Sequence, residues 1–263
     1  LGSLNKKVLI IDFDSQANAS TNVGVDVNEE FVCLGHLIED YATSGYQCNI
    51  SEIVDCIEHQ LYTKNIQEKG QFGYIEKEFK YPFFILPVSF ASKAMIRVEN
   101  CLIPQNNFAH KHSETIAYYM LKPVVEKIKK ELDFDFILID TPPSLNILSL
   151  NAMFASDYLV MPCMLNNDSL TGVLAVYDII REVQLNAPYF INLGIDLQKF
   201  SERRNLDRYL KREIEESEIP IFNNTIPDAF NKINESNARG KLVNISNENL
   251  RIAFENVAKE LNR

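Results

Sequence analysis

The chain has 263 residues, 46% apolar and 24% charged, an ordinary balance for a globular protein with room for one large α/β domain. Its net charge of −10 excludes a nucleic-acid binder that works through a global positive field, while leaving room for a local basic patch. No apolar run reaches the roughly 18 residues of a membrane-spanning helix. The five cysteines (Cys33, Cys48, Cys56, Cys101, Cys163) lack C-x-x-C or other metal-ligand spacing, and no signal peptide is read. Structural or free thiols in a reducing, cytosolic setting are therefore expected.

In chain order, the first strand signal is Val8-Leu9-Ile10-Ile11-Asp12, followed by Phe13-Asp14-Ser15-Gln16-Ala17-Asn18. A continuous β-branched run of this kind is what a strand buried on both faces of a parallel sheet looks like. Residues 43–81 then break the rhythm. A helix is predicted over 50–62 from Ile50, Ile53, Val54, Ile57 and Leu61, while 65–80 are polar and aromatic without a clean period. The stretch is read as an insertion, structural decoration or a partner-binding excursion. A strand is expected at 83–87 and a helix over 113–132, with Ser113 and Glu114 as capping candidates.

The second prominent strand is Phe136-Ile137-Leu138-Ile139-Asp140, followed by Thr141-Pro142-Pro143-Ser144. Further strands are predicted at 158–162, 191–195 and 219–222, and helices over 145–154, 170–186, 205–217 and 248–261. Strands alternating with helices through short connections predict a doubly wound, mostly parallel sheet with helices on both faces, in one domain over 1–263. Acids at the carboxyl ends of such strands stand where open α/β sheets bind ligands. An Asp there, before a turn, suits a Mg²⁺-bound water beside nucleotide phosphates. The plainer alternative is two core strands with solvated carboxylates.

These motifs carry a family resemblance. VLIIDFDSQANAS resembles V-L-x-I-D-x-D-x-Q-x-N-A-[ST] of the ParA/MinD family of deviant Walker-type ATPases. FDFILIDTPPSLNILSLNAMFASDYLVMPC is similar to that family's Walker B strand, second switch and following helix and strand. Their order, and the later Thr225-Ile226-Pro227, fit ParA-type partition ATPases of P-loop NTPase-like fold. The scattered cysteines count against the iron–sulfur branch of the superfamily. No stretch reads K-G-G-x-G-K-[ST], the glycine-rich loop whose backbone N–H groups cradle phosphates. The chain starts at Leu1 without Met, and residues 1–4 are read as the end of the helix after such a loop or as an expression remnant. An N-terminally truncated ATPase is expected; the alternative is a paralogue that never hydrolyses ATP.

The resemblance implies roles residue by residue. Asp140 matches the Walker B acid that holds Mg²⁺ through a water, Asp14 the first-switch acid that positions the attacking water, and Asp12 an acid near the Mg²⁺ shell; Asp12 and Asp140 each have the alternative of capping a turn. Pro142 and Pro143 shape the second switch, Gln16 and Asn18 lie near phosphate and the dimer face or serve only the turn, and Pro227 lines the adenine pocket. ATP and Mg²⁺ are the implied cofactors. A homodimer, non-specific DNA and a centromere-binding ParB-like protein are the implied partners, in plasmid or chromosome segregation, with nucleoid association if DNA is bound. Arg204 matches the phosphate-contacting Arg of an R-T-N-L segment, with Arg203, Arg208, Lys211 and Arg212 able to widen the patch. Asp228 stands where the family often has Arg and opposes DNA, with Lys232, Arg239 and Lys241 as compensation; a solvated helix of alternating charge is the alternative. The helix over 248–261 is expected to pack on the sheet and not on a membrane, because its polar side mixes Glu255, Lys259, Glu260 and Arg263. A non-hydrolysing scaffold, or a positioning ATPase for another cargo, is the competing function.

Overall fold

A computed structural model of the chain describes residues 1–25, 33–44, 47, 49–70, 73–89, 93–102, 118–166, 169–228 and 248–262. Two compact units emerge, Gly2–Ser156 and Asp157–Arg263, the latter joined by Leu1. Mixed α/β structure with mostly parallel strands fills both. Among the described residues no helix is long and apolar enough to cross a membrane.

The first unit holds a four-stranded sheet of order β2-β3-β1-β4, from β1 (Val8–Asp12), β2 (Glu58–Gly70), β3 (Gly73–Leu86) and β4 (Phe136–Asp140). β1 runs parallel to both neighbours, pairing Leu9–Ile11 with Phe84–Leu86 and Val8–Asp12 with Phe136–Asp140. Its apolar run is buried as read, with Leu9, Ile11 and Phe13 fully enclosed. They pack in one core with Leu34 and Ile38 of α2 (Leu34–Ser44), Ile53 of α3 (Ile50–Cys56), Met95 and Val98 of α4 (Ala94–Leu102), Val125 and Ile128 of α5 (Lys122–Glu131), and Leu148 and Ala152 of α6 (Ile147–Ala155). Burial of such side chains contributes about 1.5–3 kcal/mol each. Gly35 sets how closely α2 and α4 approach, since a Cβ there would lie 3.0 Å from the Ala94 methyl.

Three expectations need correction here. The helix predicted over 50–62 ends at Cys56, and the chain is extended from Ile57 into β2. A capping box between Asn49 and Glu52 starts α3, but beyond Ile57 pairing with β3 outcompetes helical periodicity. The aperiodic 65–80 stretch is the far part of a β2–β3 antiparallel ribbon that runs from Glu58↔Ile85 to Gly70↔Gly73. Among the described residues, only 84–86 of β3 pair with β1, and the rest of the ribbon pairs with no third strand. The helix predicted over 113–132 begins at Lys122, with Pro123 in its first turn, a position where the missing N–H costs nothing. Ser113 and Glu114 lie outside the described residues. Sequence reading also missed α2 and α4.

The second unit carries a three-stranded parallel sheet of order β5-β6-β7: β5 (Tyr158–Met164), β6 (Ile191–Phe200) and β7 (Ile226–Pro227). The strand predicted at 219–222 is reduced to a single bridge, Ile195↔Ile221. A register shift beside Leu193 and Gly194 turns β6 over, as a bulge does. Leu193 packs with Leu250 and Val257 of the last helix, α9 (Glu248–Leu261), whereas Ile195 and Leu197 pack with Val173 of α7 (Ser169–Asn186) and Ile214 of α8 (Asn205–Glu216). Helices thus cover both faces of this sheet; α9 buries Leu250 and Val257 in protein, while Ile252 and Phe254 are exposed.

Candidate functional site

The carboxyl ends of β1 and β4 are adjacent and in register, so Asp12 and Asp140 are direct neighbours. The backbone N–H of Phe13 donates to the Asp140 carbonyl at 2.8 Å, locking the strand ends together. Asp12 is fully buried. Its Oδ2 accepts from the Ser20 N–H at 2.8 Å and the Ser20 hydroxyl at 2.7 Å, and its Oδ1 accepts from the Asp14 N–H at 3.3 Å. Ser20 also accepts from the Val88 N–H at 3.3 Å, which ties this acid to the chain leaving β3.

Asp14, 8% exposed, accepts from the Gln16 N–H at 3.0 Å and closes the turn after β1 through a 2.9 Å bond from the Ala17 N–H to its carbonyl. Ala17 is left-handed, with φ of 55°. That conformation costs an alanine roughly 1–2 kcal/mol and is held here by burial and the Asp14 bond. Gln16 and Asn18 are exposed on this turn, and Asn18 opens the short helix α1 (Asn18–Asn22).

Beyond β4, Pro142 and Pro143 lead into a loop held by Asn146. The Asn146 side chain accepts from the Leu148 and Ser149 N–H groups at 3.0 and 3.1 Å, and the Ser149 hydroxyl donates to the Ser144 carbonyl at 2.6 Å. Asp140 itself is exposed at the open edge of the sheet.

The electrostatics follow from three acids in one place. Burial first, and then the neighbouring Asp14 charge, raise the Asp12 pKa, against the Ser20 and Asp14 hydrogen bonds that lower it. Asp140 keeps contact with solvent, yet its pKa is raised, first by partial withdrawal from water and then by Asp12 and Asp14. Among the described residues, no Lys or Arg is paired with any of the three. Such a cluster is suited to a cation. No set of three or more ligating side chains forms among the described residues, and both Asp12 oxygens are already engaged. The donor set therefore fits Mg²⁺, which keeps several waters and is bound through one or two carboxylates together with substrate phosphates. Asp140 would hold it, with Asp12 behind.

The structure thus brings together Asp12, Asp14, Asp140, Gln16 and Asn18, with Pro142 and Pro143 in the adjoining loop. Sequence reading missed Ser20, although it is the terminal [ST] of the quoted motif, and Asn146, whose residue type before an apolar helix signals an N-cap. In the second unit, Pro227 lies in β7 opposite Phe200. Arg203, Arg204, Arg208, Lys211 and Arg212 stand at the start of α8 and along it, and Asp228 lies 3.8 Å from Arg204. Lys232, Arg239 and Lys241 lie outside the described residues.

Parallel strands ending in acids, with helices between them, define a P-loop NTPase-like α/β protein. The AAA_31 (AAA domain) family profile matches residues 1–195. The chain is 25% identical over 245 residues to the sporulation initiation inhibitor protein Soj of Bacillus subtilis, spanning 92% of this chain and 79% of Soj. It is 31% identical over 98 residues, 36% of each chain, to the chromosome partitioning protein ParA of Caulobacter vibrioides. Apo McdA of Cyanothece superposes with a TM-score of 0.69 at 19% identity over 98% of this chain and 89% of McdA. The septum site-determining protein MinD of Pyrococcus horikoshii, complexed with Mg-ADP, gives 0.66 at 19% identity over 100% and 86%. The chain belongs to the AAA_31 family, among the ParA/MinD-type ATPases.

Proposed function

We propose that the protein is a ParA-type partition ATPase, which dimerises with ATP, binds DNA without sequence preference, and releases it when a ParB-like partner stimulates hydrolysis. The observation that carries this reading is the in-register meeting of Asp12 and Asp140, with Asp14 on the next turn. Similarity to Soj across most of the chain supports the partition role. The Mg-ADP of the MinD structure, and the ATP analogue and magnesium of a Mycobacterium smegmatis cobyrinic acid a,c-diamide synthase of TM-score 0.62, support ATP and Mg²⁺ as the bound groups.

In this reading Asp140 would hold the Mg²⁺, Asp12 keeps Asp140 in place through the paired strand ends, and Asp14 would position the water for hydrolysis. When bound, Mg²⁺ supplies neutralisation of phosphate charge. Gln16, Asn18, Pro142, Pro143 and Pro227 shape the nucleotide surroundings. The likeness to McdA and MinD favours a second reading, a positioning ATPase for another cargo.

Steady-state ATP hydrolysis and ATP binding by the full-length gene product test the site. Asp140→Ala is expected to abolish turnover, and Asp14→Ala to lower turnover more than ATP affinity. Parental turnover in both variants would sink the assignment. Co-purification of a small DNA-binding partner would separate partition from other cargo.

A further inference from the structure

An edge strand offers a row of unpaired N–H and C=O groups, and proteins blunt it with prolines, bulges or short length. β2 is an edge of its sheet and uses none of the three. It runs from Glu58 to Gly70 without a proline, and its ladder to β3 keeps one unbroken register. Among the described residues its outer edge pairs with no strand. β3, which also pairs only with β2 before residue 84, differs by carrying Pro82, a residue with no N–H to give a further strand.

A two-stranded ribbon is marginal in water, and additional strands are what stabilise it. The order of residues in β2 indicates which strand would be added. Its residues charged at neutral pH are Glu58, Lys64, Glu68 and Lys69. Two copies of one strand related by a two-fold axis pair antiparallel, through the same patch on each. An axis at Ile66 sets Lys64 opposite Glu68 of the second copy and, by symmetry, Glu68 opposite its Lys64. The same register sets Thr63 opposite Lys69, Asn65 opposite Gln67 and Tyr62 opposite Gly70, and no rung joins like charges. An axis at Lys64 or at Glu68 would set that residue against itself. Parallel pairing in register would stack all four charges on their own copies, which is destabilising.

We propose that β2 is a self-docking edge, on which two copies of this chain pair residues 62–70 antiparallel about Ile66 and so join two ribbons into one four-stranded sheet. Main-chain hydrogen bonds supply the affinity of such strand addition, and the Lys64–Glu68 rungs, present twice, fix the register. The interface needs no nucleotide. It goes beyond the ATP-dependent dimer proposed above and rests on neither the ATPase nor the DNA reading.

The test is sedimentation velocity of polypeptide 1–263 over a concentration series, without nucleotide or Mg²⁺, alongside thermal denaturation and amide hydrogen exchange of residues 62–70. The parent should sediment as a species of twice 30.2 kDa. Lys64→Glu and Glu68→Lys should each give the 30.2 kDa monomer with faster exchange in 62–70 and an unfolding transition retained. The residues directly opposite in β3 are Phe79 and Ile75, so neither reversal creates a like-charge rung inside the ribbon. The double exchange, Lys64→Glu with Glu68→Lys, should restore the dimer and its slow exchange. A monomeric parent would overturn the proposal and leave the edge to a strand of another protein. A dimer that survives both single reversals would overturn it too. So would a dimer that Lys64→Glu breaks and the double exchange does not restore, since Lys64 would then face a different acid, such as Glu58. Because nucleotide is absent throughout, none of these outcomes bears on ATP hydrolysis.

Discussion

Asp12 illustrates how one buried acid sets the character of the site. Among the described residues it has no counter-cation, only the Ser20 and Asp14 donors, and its neighbour Asp140 is raised by partial loss of water and then by like charge. A carboxyl whose folded pKa lies above its unfolded value near 4 binds its proton more tightly in the folded state. The stability it contributes is fully present below the unfolded pKa and is lost as pH rises through the folded one. Stability should therefore fall with pH from about 4 through the raised values of Asp12 and Asp140, and Asp140→Asn should flatten that fall. Denaturant titrations from pH 4 to 8, compared between parent and variant, measure it. A steeper fall in the variant would contradict the electrostatic account. Asp140→Asn is the cleaner probe, because Asp12→Asn also disturbs the Ser20 bonds.

At the scale of elements, β6 and the β2–β3 ribbon show tertiary packing overriding local pattern. Gly194 has φ of 114°, and a Cβ there would lie 2.3 Å from the Pro220 carbonyl oxygen. That close approach carries the bonds from the Ile195 N–H to the Pro220 carbonyl and from the Phe222 N–H to the Ile195 carbonyl, at 2.8 and 2.9 Å. Gly194→Ala should cost upwards of about 1–3 kcal/mol, since it adds backbone strain to a clash that only backbone movement relieves. Its chemical denaturation midpoint, compared with that of Gly172→Ala, reads this out; Gly172 has no atom within 4 Å of a built Cβ. Similar losses at the two sites would refute the close-packing argument. The ribbon was unreadable for a different reason. Its strands find each other across 13 register pairs from Glu58↔Ile85 to Gly70↔Gly73, and cross-strand partners are invisible to a scan for periodicity within one segment.

For the whole molecule, the decisive question is how phosphates are held. Residues 1–263 contain three convergent acids but no glycine-rich loop with a Lys and a Ser or Thr on the metal. Acids alone repel triphosphate, and backbone N–H groups in a glycine-rich turn supply the compensating field. Polypeptide 1–263 is accordingly expected to bind ATP poorly even with Mg²⁺. Calorimetric titration checks this, and low-micromolar affinity would show that other groups of this chain cradle the phosphates.

The parallel α/β character, the buried β1 strand, the position of β4 and the three acids were legible in the sequence, whereas β4 is only half-buried, with Leu138 40% exposed. Continuous β-branched runs ending in Asp encode burial and position without reference to distant residues. The helices of 205–217 and 248–261 were legible too, because their apolar periodicity is local. Tertiary structure alone decided that Asp12 and Asp140 are register partners, since parallel pairing across 128 residues of chain depends on the packing between. It also decided that Ser20 supports Asp12, and that helix gives way to strand after Cys56. Among the α8 cations it separated Arg204, neutralised by Asp207, from Arg208 and Arg212, left facing solvent. A sequence states which charges exist; folding chooses which of them are spent inside and which remain to meet a partner.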